Sequence, residues 1–137
     1  MSVRVDVAYE GDQQCSAVHA LSGQRLMTDA PVELPGSKAR SFSPTDLVAA
    51  GLGSCIISTL ALVAQRKGID LRGARVHIDK DLALERPMHI ARMAARLSLP
   101  ASLSPELRAA MESVAHHCLV GNSLSGEVKV ELSFEYV

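Results

Sequence analysis

Tryptophan is missing from the 137 residues, and aromatic side chains make up only 3% of them. Stacking platforms for single-stranded nucleic acid depend on such rings, so that function class has no support. An excess of one charge is missing as well: 14 Lys and Arg stand against 15 Asp and Glu, a net charge of −1. A general nucleic-acid binder would carry a basic surplus. Cysteine is scarce. Cys15, Cys55 and Cys118 are too few and too far apart for a disulfide-stapled secreted scaffold. They form no C-x-x-C pair, which leaves a zinc ribbon or a thioredoxin-type site without a basis. Arg4, Asp6 and Glu10 interrupt the N-terminal stretch, so it lacks the apolar core of a signal peptide. A cytoplasmic, reducing setting is expected, where a cysteine is either a small buried hydrophobe or a redox and catalytic group.

What is present fits one globular domain over residues 1–137. Hydrophobic residues are 47% and charged residues 21%, and with so few rings the core must be aliphatic. Val3, Val5, Val7 and Tyr9 alternate with Arg4, Asp6 and Ala8, which predicts a half-buried strand ending at Gly11-Asp12. Residues 16–21 and 24–28 read as two further strands around a Ser22-Gly23 turn, and residues 29–40, with Pro31, Pro35 and Gly36, as a loop. Ser43-Pro44-Thr45-Asp46 has an N-cap, a proline for the first helical position and an acidic residue near the positive helix end. The helix it opens should stop at Gly68, after Arg66 and Lys67.

No charged residue occurs between Leu47 and Ala64. A membrane span needs about 20 apolar residues, and this stretch is diluted by Gly51, Gly53, Ser54, Cys55, Ser58 and Thr59. A helix apolar on every side is more simply a buried one. A chain this short can hardly surround it, so a partner subunit is expected to cover part of it. A break at Gly51 and Gly53 is compatible with that reading. Beyond Gly68, alternation predicts a strand from Arg75 to Leu84, and a second from Ile90 to Leu99 with Ala91, Met93, Ala95, Leu97 and Leu99 on one face. Ser104-Pro105-Glu106 opens a helix, and residues 126–137 close the chain as a strand. The order is βββ-α-ββ-α-β, an α+β fold with buried central helices.

Cys55, within the uncharged segment, taken alone reads as a structural thiol. Cys118, just beyond the second helix, changes that reading, because packing can unite two cysteines that stand at segment boundaries. A disulfide would need their α-carbons within about 7 Å. A free thiol titrates near about 8.5, and a nearby guanidinium lowers that value and raises the reactive fraction. A thiolate attacks a peroxide O–O bond to give a sulfenic acid, which a second thiol captures as a disulfide. His116 and His117 beside Cys118 invite a metal reading, but adjacent residues rarely point at one centre and no second ligand cluster is evident. Neither a metal nor a cofactor is expected. His117 as the base of a Cys-His nucleophile lacks any oxyanion-hole signature. Cys15 reads as packing.

Residues 43–55, Ser-Pro-Thr-Asp-Leu-Val-Ala-Ala-Gly-Leu-Gly-Ser-Cys, resemble the Pro-Glu-Glu-Leu…Ala-Ala-Cys stretch of the OsmC/Ohr family of osmotically inducible and organic hydroperoxide resistance proteins. Residues 117–124 are similar to its second motif, Cys-Pro-x-x-Asn-Ser. The resemblance spans essentially the whole chain. It implies a swapped homodimer with active sites at the subunit interface, and a thiol-dependent peroxidase acting on organic hydroperoxides. Cys55 would be the attacking thiol and Cys118 the resolving one, with a dithiol reductant, of lipoyl type in some family members, as partner; neither nucleic acid nor a membrane is implied. The family glutamate that orients the catalytic arginine corresponds to Thr45, with Asp46 one residue out of place. Gln13-Gln14-Cys15 stands where hydroperoxide-resistance members carry that arginine, so Arg40 is the candidate and Arg25 the fallback. The alternative is a non-catalytic or redox-sensing dimer that binds a small apolar ligand at its interface.

Overall fold

The computed structural model describes residues 1–137 and gives β1 Val5–Gly11, β2 Gln14–His19, β3 Arg25–Thr28, α1 Pro44–Arg66, β4 Arg75–Ala83, β5 His89–Leu99, α2 Pro105–Ala115, α3 Leu119–Ser123 and β6 Lys129–Tyr136. The chain divides into two compact units, residues 1–48 and 49–137. The expected order of strands and long helices is present. The short α3 is an addition that the sequence reading missed.

In the first unit, β1, β2 and β3 form an antiparallel sheet in chain order. Asp12 and Gln13 take the left-handed conformation at the β1–β2 turn, with φ of 52° and 65°. After β3, the chain loops out and is tied back: the Asp29 N–H donates to Phe42 O at 3.0 Å, and Ser41 Oγ to Met27 O at 2.9 Å. The start of α1 is closed reciprocally, since the Asp46 N–H donates to Ser43 Oγ at 3.1 Å and the Ser43 N–H to Asp46 Oδ2 at 2.9 Å. The expectation of a half-buried β1 is corrected here. Val5, Val7 and Tyr9 are 56%, 66% and 67% exposed, because alternation makes a row apolar without burying it.

In the second unit, β4 and β5 pair antiparallel and β6 runs parallel beside β5, giving the order β4-β5-β6. Parallel neighbours require a crossover, which α2 and α3 supply. Ser104 caps α2 by accepting the Leu107 N–H at 3.2 Å. Met93, Ala95, Leu97 and Leu99, one face of β5, are buried, together with Leu52, Ile56, Leu60 and Ala64 of α1 and Met111 and Ala115 of α2. This is the aliphatic core that the composition demanded.

Helix α1 is unbroken over 23 residues, so Gly51 and Gly53 do not split it. It is long and apolar enough to cross a membrane by length and composition, as core helices also can be. Here one face is buried, while Leu62 on another is exposed. Gly53 serves close approach: a Cβ placed there would lie 2.9 Å from Ile78 Cδ1 and 3.1 Å from Val76 Cγ1. Gly53→Ala should therefore destabilise the protein by about 1–3 kcal/mol through overpacking, despite alanine's better helix propensity. Urea denaturation checks this through a lowered midpoint at unchanged slope.

Candidate functional site

The geometry brings Cys55 and Cys118 together. Cys55 lies midway along α1 and is half-buried. Cys118 is 2% exposed and forms the N-cap of α3, with extended backbone at φ −80° and ψ 158°. The one-turn helix presents main-chain donors to both sulfurs: the Val120 N–H reaches Cys55 Sγ at 3.4 Å, and the Gly121 N–H reaches Cys118 Sγ at 3.3 Å. The two thiols lie close enough for each to shift the acidity of the other.

These contacts separate the two thiols in acidity. Burial pushes the Cys55 thiol up, but hydrogen bonds from the Val120 N–H, the Cys118 thiol and the Leu119 N–H outweigh it, and the net shift is downward. Thr59 adds least, since its hydroxyl proton goes to the Cys55 carbonyl at 2.7 Å. Burial dominates at Cys118 and raises it; the Gly121 N–H works against that, while the neighbouring Cys55 sulfur reinforces it. Cys55 is thus the more acidic thiol of the pair and Cys118 the less acidic.

This arrangement fixes the sign of a pH effect. Alkylation of Cys55 should be half-maximal below the usual thiol value of about 8.5. Cys118→Ala removes one of the groups that lower Cys55 and should move that midpoint upward. Iodoacetamide labelling across pH, read by peptide mass, checks both.

No guanidinium is among the largest influences on Cys55. Arg40 is held within the first unit by two carboxylates. Its N–H and Nε donate to Asp29 Oδ2 at 3.0 and 2.8 Å, and its Nη2 donates to Asp29 Oδ1 at 3.1 Å. Nη1 and Nη2 also reach Asp12 Oδ2 and the Asp12 carbonyl, both at 2.9 Å. A guanidinium has five N–H groups, and these bonds use four of them. Ala39, at φ 49°, sets the backbone that turns Arg40 inward. Arg25 instead meets Glu10 at 3.5 Å on the exposed surface.

Asp29 was missed by the sequence reading. Its side chain is 1% exposed, and its bonds from Arg40 hold the carboxyl far below the usual carboxylate range in spite of burial. A lone aspartate in a proline-rich loop has no periodicity or spacing to mark it. Thr45 shares a hydrogen bond with Ser43 at 3.1 Å, and Asp46 is engaged in the helix cap. Cys15 sits half-buried on β2 opposite Tyr9 and Thr28. His117 is exposed, and His116 stacks at a tilt on Phe134, 6.5 Å between ring centroids. No group of three or more His, Cys, Asp or Glu side chains is placed to hold a metal ion.

Comparison with known proteins agrees with this architecture. A family model described as OsmC-like protein matches residues 36–133. A crystal structure from Psychrobacter arcticus 273-4, named for osmotic stress induction and detoxification response, is similar at 27% identity and TM-score 0.91, covering 98% of this chain and 97% of that one. An organic hydroperoxide resistance protein from Legionella pneumophila is similar in fold at 24% identity and TM-score 0.75, with 98% and 97% of the two chains covered. The organic hydroperoxide resistance protein OhrB of Bacillus subtilis is similar in fold at 16% identity and TM-score 0.73, with 98% of each chain covered. A search of curated proteins gives no significant match.

Proposed function

Because this chain belongs to the OsmC-like protein family, we propose that it is a thiol-dependent peroxidase that reduces organic hydroperoxides through Cys55 and Cys118. The observation that carries this reading is the paired thiols: Cys55 receives the Val120 N–H on its sulfur and is shifted towards the thiolate, while the buried Cys118 beside it is shifted towards the thiol. The Cys55 thiolate attacks the terminal oxygen of the hydroperoxide. The O–O bond breaks, Cys55 becomes a sulfenic acid, and the alkoxide takes up a proton to leave as an alcohol. The Cys118 sulfur then attacks the sulfenic sulfur, its proton and the hydroxyl leave as water, and a disulfide forms. A dithiol restores both thiols and is itself oxidised to a disulfide. Arg40 enters this reading as the cation only through the resemblance; within its own unit its guanidinium is held by Asp29 and Asp12.

Consumption of an alkyl hydroperoxide in the presence of a dithiol tests the reading. The expected result is saturable turnover that needs both reactants; a rate equal to the protein-free rate contradicts it.

The working unit in this reading is a homodimer. Its support is the apolar surface that one chain leaves open: Val5, Val7 and Tyr9 along β1, and Leu62 on α1. Sedimentation should show a dimer at micromolar concentration, and Val7→Asp should shift it towards monomer. A wild-type protein that sediments as a monomer contradicts the dimer.

A further inference from the structure

Thr59 stands one helical turn beyond Cys55 on α1, and residues four apart share a helix face, about 5–6 Å apart at their Cβ atoms. Both residues are half-buried, at the margin of the core. Helical side chains lean towards the N-terminus, which carries the Thr59 hydroxyl back over the turn that holds the sulfur. Its Oγ1 donates to the Cys55 carbonyl at 2.7 Å. That carbonyl already accepts the Thr59 main-chain N–H in the unbroken helix, so the hydroxyl bond is a spare one. A helical threonine has two accessible rotamers, and the hydroxyl can leave the carbonyl at little cost. Gly51, one turn before Cys55 on the same face, adds no side chain, and a Cβ there would meet nothing within 4 Å. The sulfur thus sits on a stripe with open space on one side and a hydroxyl on the other.

We propose that the Thr59 hydroxyl is a catalytic group, donating a hydrogen bond to the hydroperoxide oxygen that leaves when the Cys55 sulfur attacks. The inference rests on the peroxidase reading and gives its first step a donor. The sulfur bonds to the terminal oxygen from the side opposite the O–O bond, which breaks and sends its electron pair to the outer oxygen as RO⁻. A hydroperoxide laid along the stripe towards Thr59 puts that oxygen beside the hydroxyl. The donor helps most where the charge is largest, at the alkoxide forming in the transition state. Thr59 keeps its own proton. Water protonates RO⁻ to ROH, hydroxide passes to solvent, and the terminal oxygen and its hydrogen remain on Cys55 as sulfenic acid. Sulfur and hydroxyl belong to one helix, so their spacing is set by α1 alone.

The test compares two oxidants with different leaving groups. With tert-butyl hydroperoxide the sulfur expels a strongly basic alkoxide, whereas with peracetic acid it expels a weakly basic carboxylate that gains little from a donor. The first-turnover rate of Cys55 oxidation is measured on the reduced whole protein at one pH, by rapid mixing, acid quench and peptide mass. Thr59→Val keeps the shape and loses the hydroxyl. It should slow the reaction with tert-butyl hydroperoxide by roughly tenfold or more, and with peracetic acid by less than about twofold. Thr59→Ser keeps the donor and should stay within about twofold of wild type with both. A loss of thiolate or of packing would slow both oxidants alike, so equal slowing in Thr59→Val overturns the inference and leaves the peroxidase reading standing. A Thr59→Ser protein as slow as Thr59→Val does the same. Wild type that fails to react with tert-butyl hydroperoxide overturns the peroxidase reading, and this inference with it.

Discussion

Cys55→Ser should bring hydroperoxide turnover down to the protein-free rate, a loss of at least roughly 10³-fold. The size of the effect follows from what the site supplies. Main-chain N–H groups of α3 and the Cys118 thiol lower the Cys55 thiol and so favour its anion. A serine hydroxyl is far less acidic, and no base adjoins the position to take its proton. Cys118→Ser should behave differently. Its Cys55 thiolate still meets the first peroxide, so a burst of one equivalent per chain should appear. The sulfenic acid then has no partner thiol, and further peroxide should carry it to sulfinic acid. Stopped-flow peroxide consumption with mass analysis separates the two variants. A Cys118→Ser protein that cycles at the wild-type rate would show that Cys118 does not resolve the intermediate.

Asp29→Ala should cause the largest loss of stability in the first unit. The Asp29 carboxylate is buried and accepts the Arg40 N–H, two guanidinium N–H groups and the Ala30 N–H. Removing it leaves those donors unpaired and one side of a cation without compensation, which costs far more than losing an exposed ion pair. Arg40 is itself about one-third exposed, so water recovers part of the loss, and a fall in Tm on the order of 10 °C is expected. The sign with pH follows from the depressed carboxyl. Its stabilising contribution is complete above the ordinary carboxylate range and fades as pH falls below about 4. Wild type should therefore lose stability in acid more steeply than Asp29→Ala, and thermal melts from pH 7 down to pH 3 would show the two curves converging. If Arg40 serves the reaction, Asp29→Ala should also depress turnover at temperatures where the variant stays folded. Parallel curves would mean that the Asp29–Arg40 pair contributes little.

The parts of the fold legible in the sequence are those whose periodicity is enforced by the core. Alternation marked β4 and β5 because one face of each packs inward while the other meets solvent, and Ser-Pro pairs marked the starts of α1 and α2 because caps are local chemistry. β1 was misread as half-buried because alternation reports that a row is apolar, not what covers it. The α3 turn escaped because cysteine is not among the usual N-cap residues. Its sulfur fills that role at Cys118 only because the chain is held there by the surrounding core. The two thiols were singled out by residue type and motif, but the 62 positions between them carry no distance information. Only the packing of α1 beside the α2–α3 corner supplies it. The Asp29 clasp is a tertiary pairing across a loop, and its one sequence trace is a lone acid among prolines.

Treatment of the reduced protein with one equivalent of an organic hydroperoxide, followed by non-reducing peptide mapping, tests the central claim most directly. The predicted product is a single Cys55–Cys118 disulfide formed in near-stoichiometric yield, with Cys15 still a free thiol. Recovery of Cys55 and Cys118 as unmodified thiols, or of Cys55 sulfinic acid beside an untouched Cys118, would contradict it.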